Sequence, residues 1–130
     1  MPTYTGGCHC GRVRYEVTTD LSRVSECNCS MCSMKGFLHV IVPSEQFRML
    51  SGEQDLTMYQ FGTRTARHHC CRDCGIASFY HPRSHSDACD GNARCLEGVD
   101  VAALTIERFD GRSWAARADA PYLGSWRAKP

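Results

Sequence analysis

The segment SECNCSMCSMKG places Cys27, Cys29 and Cys32 within six residues. Thiols this close in sequence rarely pair with one another as disulfides, but they suit shared chelation of one ion. Two more tight groups accompany them: Cys8 with Cys10, and Cys71 with Cys74 in CRDCG. Zinc is the natural partner for ligand sets made only of thiolates, because it has no redox chemistry and accepts four sulfurs tetrahedrally at ~2.3 Å. On an extended backbone Cys8 and Cys10 face the same side and both reach one ion. In CRDCG a tight turn gathers both sulfurs, and Gly75 permits positive φ after the second ligand. Pooling the two pairs gives Cys8, Cys10, Cys71 and Cys74, a closed four-thiolate set of the structural kind. Cys27, Cys29 and Cys32 are then left to hold a second ion. Three protein ligands and an open position are how catalytic zinc sites are built.

Other arrangements stay open at this level. His9, His39, His68, His69, His81, His85, Cys70, Cys89 or Cys95 can supply a fourth ligand to the triplet and close it. Cys27 and Cys29 can instead join Cys71 and Cys74, which would split the triplet. Cys70 is expected to point away from Cys71 and pack as a small apolar residue, and Cys89 and Cys95 to be ordinary thiols. The run RTARHHCCR, Arg64 to Arg72, is expected to be a solvated face able to receive carboxylates. There is no G-x-G-x-x-G, no P-loop and no nucleophile elbow.

These groups need a scaffold, and 130 residues fit one domain, 1–130. Fifteen basic residues nearly cancel fourteen acidic ones, so no broad attraction to nucleic acid or anionic lipid is expected. No apolar run approaches the ~20 residues of a membrane span. The N-terminus lacks the order of a secretory signal, so a soluble, cytoplasmic protein is expected. The alternation in RVRYEV puts Val13, Tyr15 and Val17 on the buried face of a strand that follows the turn TGG. FLHVIV (37–42), LTMYQF (56–61), IASFYH (76–81) and LTIERF (104–109) are further expected strands. Short helical turns are expected within 44–49 and 96–104, and Trp114, Tyr122 and Trp126 should dock the C-terminal tail. The fold class is therefore mainly β: several short antiparallel sheets pinned by zinc, with few short helices.

GGCHCGRVRYEV, CNCSMC, FRMLSGEQDLTMYQF and CCRDCG together resemble the glutathione-dependent formaldehyde-activating family, which also includes centromere protein V. The pattern is clearest over 6–79. The resemblance implies an Mss4-like fold with two zinc ions per chain. It implies a structural zinc on Cys8, Cys10, Cys71 and Cys74, and a catalytic one on Cys27, Cys29 and Cys32. The implied activity is that of a carbon–sulfur lyase making or cleaving a glutathione–aldehyde adduct such as S-hydroxymethylglutathione. Cys70 stands where an aromatic residue is common in the family, and only Lys35 follows the triplet closely where relatives carry more basic residues.

Three functions compete. In the first, a substrate thiol, glutathione or another, becomes the fourth ligand of the triplet zinc and reacts with an aldehyde. Three thiolates leave such a site with a net negative charge, so positive groups must compensate, Lys35 or the Arg64–Arg72 region being candidates. In the second, both zinc sites are structural and the protein is a binding module. A thiol redox protein is the third, disfavoured by the presence of three separate cysteine groups.

Overall fold

The computed structural model describes residues 1–61, 64, 66–82 and 87–110. The expectations for His85 and for the tail with Trp114, Tyr122 and Trp126 lie outside these residues. Among the described residues the chain forms β1 (Thr3–Gly7), β2 (Arg14–Thr18), β3 (Val24–Cys27), α1 (Ser30–Lys35), β4 (Leu38–Pro43), β5 (Phe47–Ser51), β6 (Leu56–Tyr59), β7 (Arg67–Cys71), β8 (Phe79–His81), β9 (Ala88–Asn92) and β10 (Ile106–Phe109). Two sheets result, one ordered β1-β2-β5 and the other β10-β3-β4-β9-β8-β7-β6. The fold is mainly β, as expected. One pairing departs from the antiparallel rule: β10 runs parallel to β3, with Phe109 opposite Cys27.

The core lies between the two sheets. Val13, Tyr15 and Val17 are fully buried, and they meet Leu38, Val40, Val42 and Phe79 of the larger sheet. Tyr15 stacks on Phe47 at 4.8 Å and meets the edge of Phe79 at 5.7 Å. Its hydroxyl donates to the Ser78 carbonyl at 2.7 Å, so the one polar atom of this large ring is satisfied. The opposite face of the larger sheet carries the residues between these: His39 and Ile41 on β4, Tyr80 on β8, Asp90 on β9 and His68 on β7. Register confirms the set, since His68 pairs with Tyr80, Tyr80 with Asp90, and Asp90 with Ile41.

Several local expectations are corrected. TGG is not a turn; it ends β1, and residues 8–13 make the turn. The close approach explains the glycines, because a Cβ on Gly6 would lie 2.9 Å from Leu96 Cδ2 and one on Gly7 would collide with the Val13 carbonyl. The 44–49 segment makes a single 3-10 turn at Ser44–Gln46 and then becomes β5. RTARHHCCR is not a solvated face: its 67–71 portion is β7, between β6 and β8, with His68 buried. Periodicity also gave no sign of α1, which is six residues long and fixed by its ends. Cys29 caps it at one end, and at the other Gly36 takes φ 65 and donates to the Cys32 carbonyl.

Gly52 at φ 83 and Gly98 at φ 75 separate two costs, since a Cβ meets the Arg12 carbonyl at the first and open space at the second. Gly98→Ala should lower stability by about 1 kcal/mol from positive φ alone, and Gly52→Ala by about 3 kcal/mol or more. Urea unfolding midpoints of the two variants check this; equal losses would contradict it.

Candidate metal centres and the adjoining cleft

The first thiol group is built from two turns. Cys8 opens the β1–β2 turn, Gly11 bends it at φ 84, and the Val13 amide returns to donate to Cys8 Sγ at 3.3 Å. The Cys8–Cys10 segment is therefore a tight turn, not the extended C-x-C expected, and the turn is what aims both sulfurs inward. Cys71 ends β7, and Gly75 at φ 78 lets its amide reach the Cys71 carbonyl at 2.8 Å, which folds Cys74 back. The Arg12–Asp73 ion pair at 2.5 Å links the two turns. The Sγ atoms of Cys8, Cys10, Cys71 and Cys74 all lie within 4.8 Å of one another. Cys10 Sγ is 3.6 Å from both Cys8 and Cys71. Tetrahedral thiolate bonds of ~2.3 Å space sulfurs about 3.8 Å apart, so this group fits a metal ion.

The second group is local. Cys27 is the last residue of β3, Cys29 the N-cap of α1, and Cys32 lies in its first turn. The Cys29 amide donates to Cys27 Sγ at 3.4 Å, and the Cys32 amide to Cys29 Sγ at 3.3 Å. The three sulfurs lie within 4.8 Å of one another. Hydrogen bonds from the Cys27 and Cys32 thiols lower Cys29 to about 2. The same contact with Cys29 pushes Cys27 up to about 11, and its two thiol neighbours, then burial, push Cys32 higher still. Three sulfurs this close could hold a thiophilic cation, whose binding would release the protons that remain on them.

Among the described residues, no histidine and no other cysteine joins either group. His39 is committed elsewhere: it is 4% exposed, and its Nδ1 lies 2.5 Å from the fully buried Asp90 carboxylate. Tyr80 Oη lies 3.4 Å from the same nitrogen. His68 stacks on Tyr80 at 4.8 Å and on Phe61 at 5.6 Å. Lys35 Nζ donates to His68 Nδ1 at 3.2 Å and sits over the rings of Phe37 and Tyr80 at 4.9 and 4.7 Å. Burial lowers the Lys35 pKa, while Cys32, Asp90, Cys29 and Cys70 oppose that shift. Lys35 is thus the cation that the fold sets beside the triplet, three positions after Cys32. Arg64 is exposed, and Arg72 is engaged by Asp55 at 3.1 Å. Cys70 is half-buried rather than packed away; burial raises Cys89 and Cys95 to about 11, and Cys89 Sγ lies 3.7 Å from His81 Nδ1.

A cleft of about 420 Å³ adjoins the triplet, lined by Cys27, Cys32 and Phe37 together with Glu26, Arg108 and Phe109. Small-molecule sites fall in the range of roughly 300 to 1,000 Å³.

Residues 3–103 match the family described as glutathione-dependent formaldehyde-activating enzyme. The chain belongs to this family. Its match extends beyond the 6–79 in which the motifs are legible, and it stops before β10. The glutathione-dependent formaldehyde-activating fold of this chain is also similar to a crystal structure of a Rhodobacter sphaeroides protein. The TM-score is 0.76 and the identity 36%, over 81% of this chain and 99% of that one. Among the described residues, no helix of this family member is long and apolar enough to cross a membrane.

The sequence pointed to the thiols and to Lys35 but missed the cleft wall and the His39–Asp90 pair. One signal was present: a histidine within the apolar run FLHVIV must find a buried partner.

Burial, then the Lys35 charge, lowers His68 from 6.5 to about 4. Its folded pKa lies below its unfolded one, so the unfolded chain binds the extra proton between those values. The stability tied to neutral His68 is complete above pH 6.5 and is lost as pH falls toward 4. His68→Phe should retain the stacking and reduce the stability loss between pH 7 and pH 5 by about 1 kcal/mol. Urea titrations at both pH values measure this, and parallel losses in the two proteins would refute it.

Proposed function

We propose that the protein is a zinc-dependent carbon–sulfur lyase that makes or breaks the bond between a thiol, such as glutathione, and an aldehyde carbon. The observation that carries this reading is the contrast between the two thiol groups. One has four sulfurs, a complete tetrahedral set; the other has three and opens beside a cleft. The closed set, Cys8, Cys10, Cys71 and Cys74, would hold a structural zinc, and Cys27, Cys29 and Cys32 the reactive one. When bound there, zinc supplies the deprotonation of an incoming thiol, whose free pKa is ~8.5. In the forward direction the thiol sulfur bonds to the carbonyl carbon and the carbonyl oxygen ends as a hydroxyl; in the reverse the C–S bond breaks and the proton returns to sulfur.

The chain's own groups have three tasks. Lys35 offsets the negative charge of three protein thiolates and one substrate thiolate. Its ammonium is held in place by His68 Nδ1 and by the Phe37 and Tyr80 rings, so it is preorganised rather than recruited. Phe37 and Phe109 give the cleft apolar surface that displaces water from the sulfur. The buried His39–Asp90 pair fixes the strand geometry behind Tyr80. A non-catalytic binding module needs a fourth protein ligand to close the triplet, and among the described residues none joins it. Ligand sets made only of thiolates suit a reducing compartment, which supports a cytoplasmic location.

The purified protein should contain two zinc ions per chain, and glutathione should convert the triplet zinc from three to four sulfur neighbours, as read by X-ray absorption. A triplet zinc with four protein ligands that ignores glutathione would end the proposal. Cys29→Ser should cut zinc to about one ion, abolish lyase turnover and leave the fold intact. Cys74→Ser should instead cost about 4 kcal/mol or more of stability. Equal destabilisation by the two substitutions, compared by thermal unfolding, would refute the division of roles.

A further inference from the structure

Among the described residues the outer strands are β1 and β5 of the smaller sheet and β10 and β6 of the larger. A strand edge is a template for another chain unless charge, proline, a bulge or a cover blocks it. β1 is covered: Gly6 bridges to Leu96, and the Glu97 amide donates to the Thr5 carbonyl at 2.8 Å. β5 carries the exposed Arg48, and β10 carries the exposed Glu107 and Arg108. β6 has none of these devices. Its residues, LTMY, include no charge and no proline, and its register against β7 runs without a bulge.

This bare edge is also apolar. Met58 and Tyr59 are 52% and 55% exposed, and Phe61, just past the strand, is 45% exposed. Tyr59 pairs with His68 and Met58 with His69, so large apolar side chains stand out on both faces of the edge. The two ends of β6 differ in charge. Glu53 precedes it in the 3-10 turn Glu53–Asp55, and Arg64 follows it in a turn closed by the Arg64 amide on the Phe61 carbonyl at 2.9 Å. Both residues are exposed, and neither has an ion-pair partner among the described residues. Asp55, at the same end as Glu53, is taken by Arg72.

We propose that β6 pairs with the β6 of a second copy of this chain, antiparallel about a two-fold axis, so that the larger sheet runs through both copies. The charges select this occupant. A two-fold interface must be complementary to itself, and an uncharged strand meets its own copy without like charges facing one another. Antiparallel pairing centred between Thr57 and Met58 sets Leu56 of one copy opposite Tyr59 of the other, and Thr57 opposite Met58. It brings the Glu53 end of each copy level with the Phe61–Arg64 turn of the other, so opposite charges meet twice. Parallel pairing would instead set Glu53 beside Glu53 and Arg64 beside Arg64. The same contact covers Met58, Tyr59 and Phe61. An edge this short buries less surface than a permanent dimer does, so the dimer is reversible.

Sedimentation equilibrium of the full chain as purified, over a range of concentrations, tests this. The unmutated protein should be a reversible dimer. Met58→Lys sets two ammonium groups at the centre of the pairing and should give a monomer with an unchanged circular dichroism spectrum. Glu53→Arg and Arg64→Glu, each alone, bring like charges together twice and should weaken the dimer about tenfold. Mixed in equal amounts, these two variants should dimerise with each other at the unmutated affinity, because every contact again joins opposite charges. A role of either residue within one copy cannot give that recovery, so the charge exchange decides even where Met58→Lys fails to fold. An unmutated chain that stays monomeric at every concentration would overturn the proposal and leave β6 open to a strand of a different protein. A dimer that survives Met58→Lys would overturn it as well, since it must use another surface. Absence of recovery in the mixture would refute the antiparallel two-fold pairing.

Discussion

A β-strand turns successive side chains to opposite sides, and β4 divides the protein's chemistry by that alternation. Leu38, Val40 and Val42 go into the core against Tyr15 and Phe79, while Phe37 just before the strand and His39 within it face the other way. The same division runs through the neighbouring strands. Phe79 faces the core and Tyr80 the site; Cys71 faces the four-thiol group and His68 the Lys35 ammonium. A one-residue slip of any strand in this sheet would exchange its core residues for its site residues. Core packing therefore sets the register of the opposite face, which carries His39, His68 and Tyr80.

The four-thiol group fixes this register from one end. Its two turns are separated by 61 residues between Cys10 and Cys71, yet their sulfurs lie 3.6 Å apart. Closing so long a loop costs chain entropy, and a metal ion held by the four sulfurs would offset that cost in the folded state alone. The clamp ties the β1–β2 turn of the smaller sheet to the end of β7 in the larger one. It thereby holds Tyr15 over Phe47 and Phe79, and the sheet whose far face carries His68, Tyr80 and Asp90. The triplet makes no such long closure. Cys27, Cys29 and Cys32 belong to one strand–helix junction, so the site that would bind and release a substrate is not the one that holds the sheets together.

Lys35 shows how the two faces combine in one charge arrangement. It is half-buried and lies among aromatic rings, with His68 as its hydrogen-bond acceptor. An ammonium withdrawn from water is costly unless anions accompany it, and here the negative groups that favour its charge are the Cys29 sulfur and the Asp90 carboxylate. In the proposed reaction a cation held in this way would meet a fourth thiolate without moving, whereas an exposed lysine would be screened by water.

Much of this was legible in the chain itself. The cysteine spacings grouped the thiols because chelation depends on short-range geometry; the alternation of RVRYEV and the β-branched apolar run FLHVIV gave two core strands because both patterns record burial. The strands rich in Cys, Ser, Asp and Asn, β3, β7 and β9, were not legible. Their polar residues are buried by neighbouring strands, and no local pattern records who the neighbours are. The helix α1 escaped for a related reason: its six residues are held by a thiol cap and Gly36, not by an apolar stripe. The sequence alone determined the three local thiol groups, since the cysteines within each are near neighbours along the chain; that the Cys8–Cys10 turn meets Cys71 and Cys74 was decided by the fold. Only the tertiary structure decided that Lys35 lies against His68, that His39 is engaged by Asp90, and that β10 returns parallel to β3 to bring Phe109 opposite Cys27. Each of these joins residues distant in sequence through sheet pairing, and pairing partners are chosen by the packing of the whole core.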